Sequence, residues 1–214
     1  MKKVMRCLMI FLGAGILSNS LVPEDVMALE EASYRVLERH GEFELRQYDS
    51  RIVAETIVEE EFDAAGNEGF RRLAAYINGK NRKKQSISMT APVSQEQNAE
   101  KIPMTAPVNQ QKQNGTWRIT FFMPAKYTLE TLPEPVDDRV SLKRVPGSLM
   151  AALKYSGTWS RKRYEQRRLR LLSLIEQHGL KPVGEPVFAR YNPPFMPWFL
   201  RRNEVLISVE RTTD

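Results

Sequence analysis

Residues 87–93 read Ile-Ser-Met-Thr-Ala-Pro-Val, and fifteen residues later residues 102–108 read Ile-Pro-Met-Thr-Ala-Pro-Val. In each copy the apolar residues occupy alternate positions, which is the period of a β-strand with one apolar face. This alternation predicts that Met89 and Met104 share a face with their apolar neighbours. The last proline of each copy lacks an N–H to donate, so we expect these strands at an edge, a bulge or the mouth of a sheet. The polar stretch between the copies predicts an antiparallel hairpin.

The sequence before the repeat predicts a hairpin, a third strand and one amphipathic helix. Apolar and polar residues alternate on both sides of His40-Gly41, as in a β-hairpin. Farther along, apolar residues recur at helical spacing until Asn78-Gly79, which is a typical stop signal. The predicted elements are strands at 34–39, 42–48 and 51–59, and a helix at 62–78.

The sequence after the repeat predicts a second set of the same elements. A linker rich in Pro and Asp, residues 132–139, separates the two sets, and Ser160 is a candidate N-cap for the second helix. A strand at 117–123 completes the first set. The second set has strands at 140–145, 149–155, 186–191 and 204–210, and a helix at 160–178.

The order strand, strand, helix, strand, strand therefore occurs twice. It predicts an α+β domain over residues 29–214, with duplicated halves at about 33–131 and 140–210. We expect the two halves to form a distorted antiparallel β-barrel flanked by two main helices.

The first 28 residues resemble an export signal. Lys2, Lys3 and Arg6 precede an apolar run from Cys7 to Leu17, and Val26-Met27-Ala28 offers small residues for cleavage. The run is shorter than the roughly 20 residues of a spanning helix, although an uncleaved anchor remains the alternative. Because Cys7 precedes the apolar run, lipoprotein processing is not expected, and we predict a periplasmic protein.

Charge and cysteine content limit the chemistry of the mature protein. Its only cysteine lies in the predicted signal, which excludes disulfides, thiolate metal sites and a cysteine nucleophile after cleavage. The net charge of +6 would become +5, which favours anionic partners or serves solubility. Basic residues between Arg161 and Arg170 predict either a solvated helix face or contact with an anionic membrane surface. We expect a monomer that does not bind nucleic acid.

Several motifs occur in order along the chain: the doubled Met-Thr-Ala-Pro-Val, Trp-Arg-Ile-Thr-Phe-Phe-Met-Pro at 117–124, Tyr-Thr-Leu-Glu-Thr-Leu-Pro at 127–133, Tyr-Asn-Pro-Pro-Phe at 191–195 and Phe-Leu-Arg-Arg-Asn-Glu-Val at 199–205. Together they resemble the SOUL family of heme-binding proteins, and the resemblance covers about Tyr34 to Glu210. It implies a fold similar to bacterial effector-binding domains. It also implies that heme or a related tetrapyrrole binds in an apolar cleft.

A heme cleft needs apolar walls and charges that meet the propionates. Met89 and Met104 either line the cleft or fill the core, and the same alternatives apply to Phe70, Leu73 and Ile77 of the first helix. Arginine suits a carboxylate because its planar fork binds both oxygens. The candidate propionate partners are Arg71, Arg72, Arg201 and Arg202.

An axial ligand for the iron is optional. His40 and His178 are the only histidines, and His40 is the better candidate although a solvated role suits both. Binding without a strong axial ligand fits the resemblance better.

Two other functions stay open. The cleft could hold another amphipathic small molecule, or it could serve a hydrolase with Glu55 or Glu204 as general base. No nucleophile–base pair in the sequence supports an enzyme.

Overall fold

In the computed structural model, which describes residues 29–83 and 99–212, ten strands form one antiparallel sheet with two helices packed on one face. The strands are β1 (Glu30–Glu31), β2 (Tyr34–His40), β3 (Phe43–Tyr48), β4 (Arg51–Val58), β5 (Asn81–Arg82), β6 (Thr105–Ala106), β7 (Val108–Gln113), β8 (Thr116–Phe122), β9 (Glu134–Pro135), β10 (Val140–Val145), β11 (Ser148–Tyr155), β12 (Leu180–Pro182), β13 (Val187–Arg190) and β14 (Asn203–Arg211). The helices are α1 (Phe62–Ile77) and α2 (Arg161–Gln177), with a 3-10 turn at Trp198–Leu200.

The large sheet has the order β10-β4-β8-β7-β13-β14-β11-β3-β2, and β12 adds to β14. The order is symmetrical about the β7–β13 pair, because β8 matches β14, β4 matches β11 and β10 matches β3 on either side. Consecutive strands β3 and β4 do not pair with each other. Instead β3 pairs with β11 and β4 with β10. Each end of the sheet therefore combines a strand from the N-terminal half of the chain with a strand from the C-terminal half.

The α+β class with two main helices and a large antiparallel sheet is confirmed. The sheet differs from the expected barrel because it is open: its end strands β10 and β2 do not pair within the part of the chain that the structure describes. Division of the chain into two duplicated halves remains a prediction.

The core lies between the helices and one face of the sheet. Helix α1 packs on β4, β8 and β10, whereas α2 packs on β11, β12 and β14. A Cβ on Gly69 would lie 2.5 Å from the Ile119 side chain, so glycine lets α1 approach β8 closely. Helix α2 begins as predicted, because the Ser160 hydroxyl accepts a hydrogen bond from the Arg163 N–H.

The second copy of the repeated motif is less regular than the alternation predicted. Its strand structure is limited to β6 and the start of β7, and Met104 precedes β6. Strand β6 pairs in parallel with β1. The first copy, including Met89, and the predicted hairpin between the copies lie outside the described residues. Prolines at 103 and 107 have no N–H for a ladder, which accounts for the interruption.

Two peripheral features complete the fold. The predicted linker at 132–139 contains β9, which pairs with β5 at the end of α1. The proposed signal at 1–28 lies outside the described residues. Within the ranges that are described, none of the helices has the length and apolar character needed to cross a membrane.

Candidate functional site

An apolar groove of about 350 Å³ lies beside the N-terminal half of α1. We call it the α1 groove. Helix α1 forms one wall, the Met104–Val108 segment forms the floor, and the chain leaving β13 forms the opposite wall. The lining residues are Leu29, Gly66, Asn67, Phe70, Met104, Thr105, Ala106, Val108, Trp159, Arg190, Tyr191, Asn192, Pro193 and Pro194.

Small residues in the repeated motif and in α1 make room for the groove. Gly66 has no side chain at the point where α1 meets the opposite wall, and Ala106 is the small residue that precedes a cis peptide bond. Phe70 and Met104 supply partly exposed apolar surface, with Phe70 39% exposed. The result is a cleft with flat and flexible apolar walls, which suits a planar aromatic ligand.

Arg190 introduces a positive charge into this apolar wall. Its guanidinium lies over the rings of Trp159 and Phe188, at 5.5 and 5.2 Å from the ring centroids. Nη2 donates a hydrogen bond to Oε1 of Gln110, whose own Nε2 donates to the Phe62 carbonyl at 2.7 Å. Gln110 is fully buried, so it holds Arg190 in a fixed place.

A buried polar network lies directly behind Tyr191. The Tyr191 hydroxyl donates to Oε2 of Glu204 at 2.9 Å, and the same carboxylate accepts from Nη1 of Arg46 at 2.6 Å. Burial alone would raise the pKa of Glu204, but hydrogen bonds and charge from Arg46 and Arg202 lower it below its ordinary value. Burial and the Glu204 charge raise the pKa of Tyr191, so its hydroxyl stays protonated and orients the ring in the groove wall.

The loop after Tyr191 borders the groove, and the predicted propionate partners Arg201 and Arg202 are already bonded to other groups of the protein. Arg201 donates to the carbonyls of Met196 and Pro194 at 2.7 and 2.6 Å, and it stacks on Trp159 at 4.4 Å. Arg202 is paired with Glu31 and Glu204. The outer surface of the loop is apolar, with these side chains more than half exposed: Phe195, Trp198, Phe199 and Leu200.

The other predicted cleft residues of α1 lie away from the groove. Leu73 and Ile77 are buried in the core, so they face the sheet and contact no ligand in the groove. Arg71 is exposed and bonds Glu68, whereas Arg72 bonds Glu68 and the Ile57 carbonyl. A helix turns by about 100° per residue, so only residues near Gly66, Asn67 and Phe70 point to the groove.

His40 and His178 lie together, but not at the groove. Their ring centroids are 4.7 Å apart, where the β2–β3 turn meets the C-terminus of α2. Nδ1 of His178 lies 2.7 Å from the Leu174 carbonyl, as expected for a histidine that caps a helix. Neither histidine lines the groove, and residues 29–83 and 99–212 contain no cluster of three metal-ligating side chains.

The two candidate general bases lie on the sheet face opposite the helices. Glu204 is fully buried in its ion pairs, and its lowered pKa makes it a poor proton acceptor. Glu55 lines a separate, more polar cavity of about 280 Å³ and is bonded to Lys143 and Ser141. Neither carboxylate lines the α1 groove.

Sequence reasoning missed Arg190, Trp159 and Tyr191 as groove residues. Trp159 directly precedes the predicted N-cap Ser160, but that position does not indicate a groove residue. It reaches the groove through the packing of the loop before α2. For Arg190 a signal was present, because an arginine ends an apolar strand directly before the Pro-rich loop. Its burial could not be read from that position.

The fold is that of several solved α+β domains. The crystal structure of the EcmrR C-terminal domain superposes with a TM-score of 0.53 at 11% identity, covering 84% of this chain and 99% of that domain. A hydrolase from Listeria innocua superposes with a TM-score of 0.52 at 12% identity, covering 81% of this chain and 94% of that protein. At these identities the likeness defines the fold alone.

The family follows from the sequence comparison. The SOUL heme-binding protein family matches residues 29–208. Human heme-binding protein 2 is 28% identical over 174 residues, which cover 77% of this chain and 80% of the human protein. The chain belongs to the SOUL heme-binding protein family.

Proposed function

We propose that this protein binds heme or a related tetrapyrrole in the α1 groove and carries or sequesters it. The observation that carries the proposal is the groove itself, in which aromatic and thioether side chains line an apolar cleft. Burial of a flat macrocycle there would remove apolar surface from water at about 25 cal/mol per Å². Membership of the SOUL heme-binding protein family supports the same ligand class.

The residues of the groove fit the chemistry of such a ligand. Phe70 and Met104 offer a ring and a polarizable sulfur to the faces of the macrocycle. The sequence contains a single cysteine and therefore lacks the two-cysteine motif of covalent heme attachment, which supports non-covalent binding. Bound heme would supply an iron for redox or ligand-binding chemistry, and the groove residues would bind and shield the macrocycle. Neither histidine lines the groove.

A hemin titration tests this function. The purified protein is titrated with hemin while the Soret band and tryptophan fluorescence are recorded. We expect saturable changes at one hemin per chain, because Trp159 lines the groove and would be quenched. The absence of any saturable change would contradict the proposal.

A second candidate is another amphipathic small molecule in the same groove. It is favoured by the exposed apolar surface next to a single cationic side chain, which does not by itself require a porphyrin. A thermal-shift screen of aromatic acids and bile acids, followed by competition against hemin, decides between the two. A ligand that displaces hemin at lower concentration would favour this candidate.

The proposed place of action is the cell envelope, as a monomer exported by residues 1–28. Expression with these residues, followed by fractionation and mass measurement, tests export, and light scattering tests the oligomeric state. Signal removal near Ala28 and a periplasmic monomer are expected, whereas an intact cytoplasmic chain would contradict export.

Membrane contact through α2 remains part of the proposal. Among its basic residues, Arg167 and Arg170 pair with Glu42, Arg168 with Glu165 and Arg161 with Glu61. These pairs reduce the charge available to lipid, so weak and salt-sensitive binding is expected. Flotation with vesicles containing phosphatidylglycerol, at low and physiological salt, measures it. Flotation that persists at physiological salt would contradict an electrostatic contact.

A further inference from the structure

Arg190 has hydrogen-bonding capacity that the protein leaves unused. Its Nε is buried and has no hydrogen-bond partner in the described residues. Nη2 donates a hydrogen bond to Oε1 of Gln110, which uses one of the five N–H groups of the guanidinium. Buried polar groups are normally bonded, so the unpartnered Nε–H beside the groove requires an explanation.

The charge of Arg190 is also unpaired. No aspartate or glutamate in residues 29–83 and 99–212 forms an ion pair with it, and Asp63 acts only at longer range. Burial therefore lowers the pKa of Arg190 to about 10, so it is still a cation at neutral pH. Arg46, which is buried, differs because it bonds both oxygens of Glu204.

A purely structural role explains Arg190 poorly. Its contacts with the rings of Trp159 and Phe188 could be made by an apolar side chain, without the cost of burying a charge. The guanidinium also requires glycine at position 66, within a helix interior where glycine is disfavoured relative to alanine. The buried charge and the helical glycine both lower stability, yet together they place a cation in an otherwise apolar wall.

We propose that Arg190 is the anchor for a carboxylate of the ligand, which its guanidinium receives at the wall of the α1 groove. This inference rests on the proposed function, because it concerns the ligand in the same groove. It assigns the anionic group of that ligand to a residue other than Arg201 and Arg202, whose donors are occupied by loop carbonyls or carboxylates. It makes the free acid, rather than the macrocycle alone, the recognised species.

The test compares protoporphyrin IX with its dimethyl ester, both free of iron, so that axial ligation plays no part. Dissociation constants are measured by fluorescence titration for the wild type, Arg190→Met, Arg190→Gln and the control Arg71→Met. Arg71 is exposed and does not line the groove. Thermal unfolding of each variant checks that the fold is intact.

A charge-assisted hydrogen bond contributes enough for a preference of about tenfold or more, so the wild type is expected to bind the acid at least that much more tightly than the ester. In Arg190→Met the affinity for the acid falls and the affinity for the ester does not, so the two compounds are expected to bind about equally. Arg71→Met keeps the wild-type preference. Arg190→Gln, which retains an amide for Gln110, should also lose it and serves if the methionine variant does not fold.

The outcomes separate this inference from the proposed function. If the wild type binds acid and ester equally, or if a folded Arg190 variant keeps the preference for the acid, the Arg190 assignment is overturned while tetrapyrrole binding stands. If the wild type binds neither compound nor hemin, the proposed function itself fails.

Discussion

A Cβ built on Gly66 would lie 2.4 Å from Nη2 of Arg190, so the guanidinium fills the space that any other residue at position 66 would occupy. The glycine in α1 and the arginine that ends β13 therefore form one unit, which defines how close the two walls of the α1 groove approach. The same Cβ would lie 2.7 Å from Oε1 of Gln110, the acceptor that holds the guanidinium.

Gly66→Ala is expected to weaken binding of the free acid without unfolding the protein. Alanine favours the helix by about 1 kcal/mol, whereas Arg190 must move to relieve the contact. The measurement is the affinity for protoporphyrin IX together with the unfolding midpoint. An unchanged affinity would show that the position of Arg190 does not matter for the ligand.

Phe70→Ala should mainly weaken hemin binding, whereas Leu73→Ala should mainly lower the stability of the fold. Phe70 is 39% exposed and lines the groove, so its loss is expected to cost under about 1 kcal/mol of stability and to weaken hemin binding about tenfold. Leu73 is fully buried beneath the same helix, so its truncation should cost about 2–5 kcal/mol. Denaturant unfolding and hemin titration of both variants measure the difference. Equal effects of the two variants on hemin affinity would contradict the assignment of Phe70 to the groove.

His40→Ala and His178→Ala are expected to leave the heme spectrum unchanged. Both rings lie at the junction of the β2–β3 turn with the end of α2, where His178 also stacks on Phe43 at 4.4 Å. Absorption spectra of the ferric and ferrous complexes provide the measurement, with the wild type as reference. A shifted Soret maximum in either variant would mean that a histidine reaches the iron.

The buried pair of Glu204 and Arg46 should make the protein sensitive to acid. The folded state lowers the pKa of Glu204 below its ordinary value of 4.5, so the folded protein binds fewer protons than the unfolded chain. The stabilisation is present above that ordinary value and is lost as the pH falls through the lowered pKa. Denaturant unfolding from about pH 7 to pH 3 follows this loss.

Glu204→Gln is the control for the acid sensitivity. It should be less stable at neutral pH by about 3–5 kcal/mol, because it leaves Arg46 buried without its main partner. Its stability should also depend less on pH below the ordinary pKa of a glutamate. A wild type and a variant with the same pH dependence would exclude Glu204 as the responsible group.

Most of the fold was predictable from sequence because its signals are local. Apolar spacing and the Asn78-Gly79 stop placed α1, and Ser160 placed the start of α2. The sequence could not predict that β3 pairs with β11 and β10 with β4. Alternation shows that a strand has two faces but not which neighbour it pairs with. For the same reason, the sequence could not show whether the sheet closes into a barrel.

The site was less predictable because it depends on side-chain direction. The apolar pattern left four residues as either cleft or core residues: Phe70, Met104, Leu73 and Ile77. Phe70 and Met104 line the groove, whereas Leu73 and Ile77 lie in the core. An arginine can bind a ligand carboxylate only if it is not already paired with an acidic side chain of the protein. Arg202 has carboxylate partners and Arg190 does not, and this difference exists only in three dimensions.

The most direct test of the central claim is hemin titration of a variant whose groove is filled. Asn67 is exposed on α1 and lines the groove, so Asn67→Trp should obstruct the cleft without disturbing the core. Ala64→Trp, on an exposed position of the same helix that does not line the groove, is the matched control. We expect Asn67→Trp to weaken hemin binding by about tenfold or more and Ala64→Trp to bind like the wild type. Wild-type affinity in a folded Asn67→Trp protein would contradict the assignment of the ligand to the α1 groove.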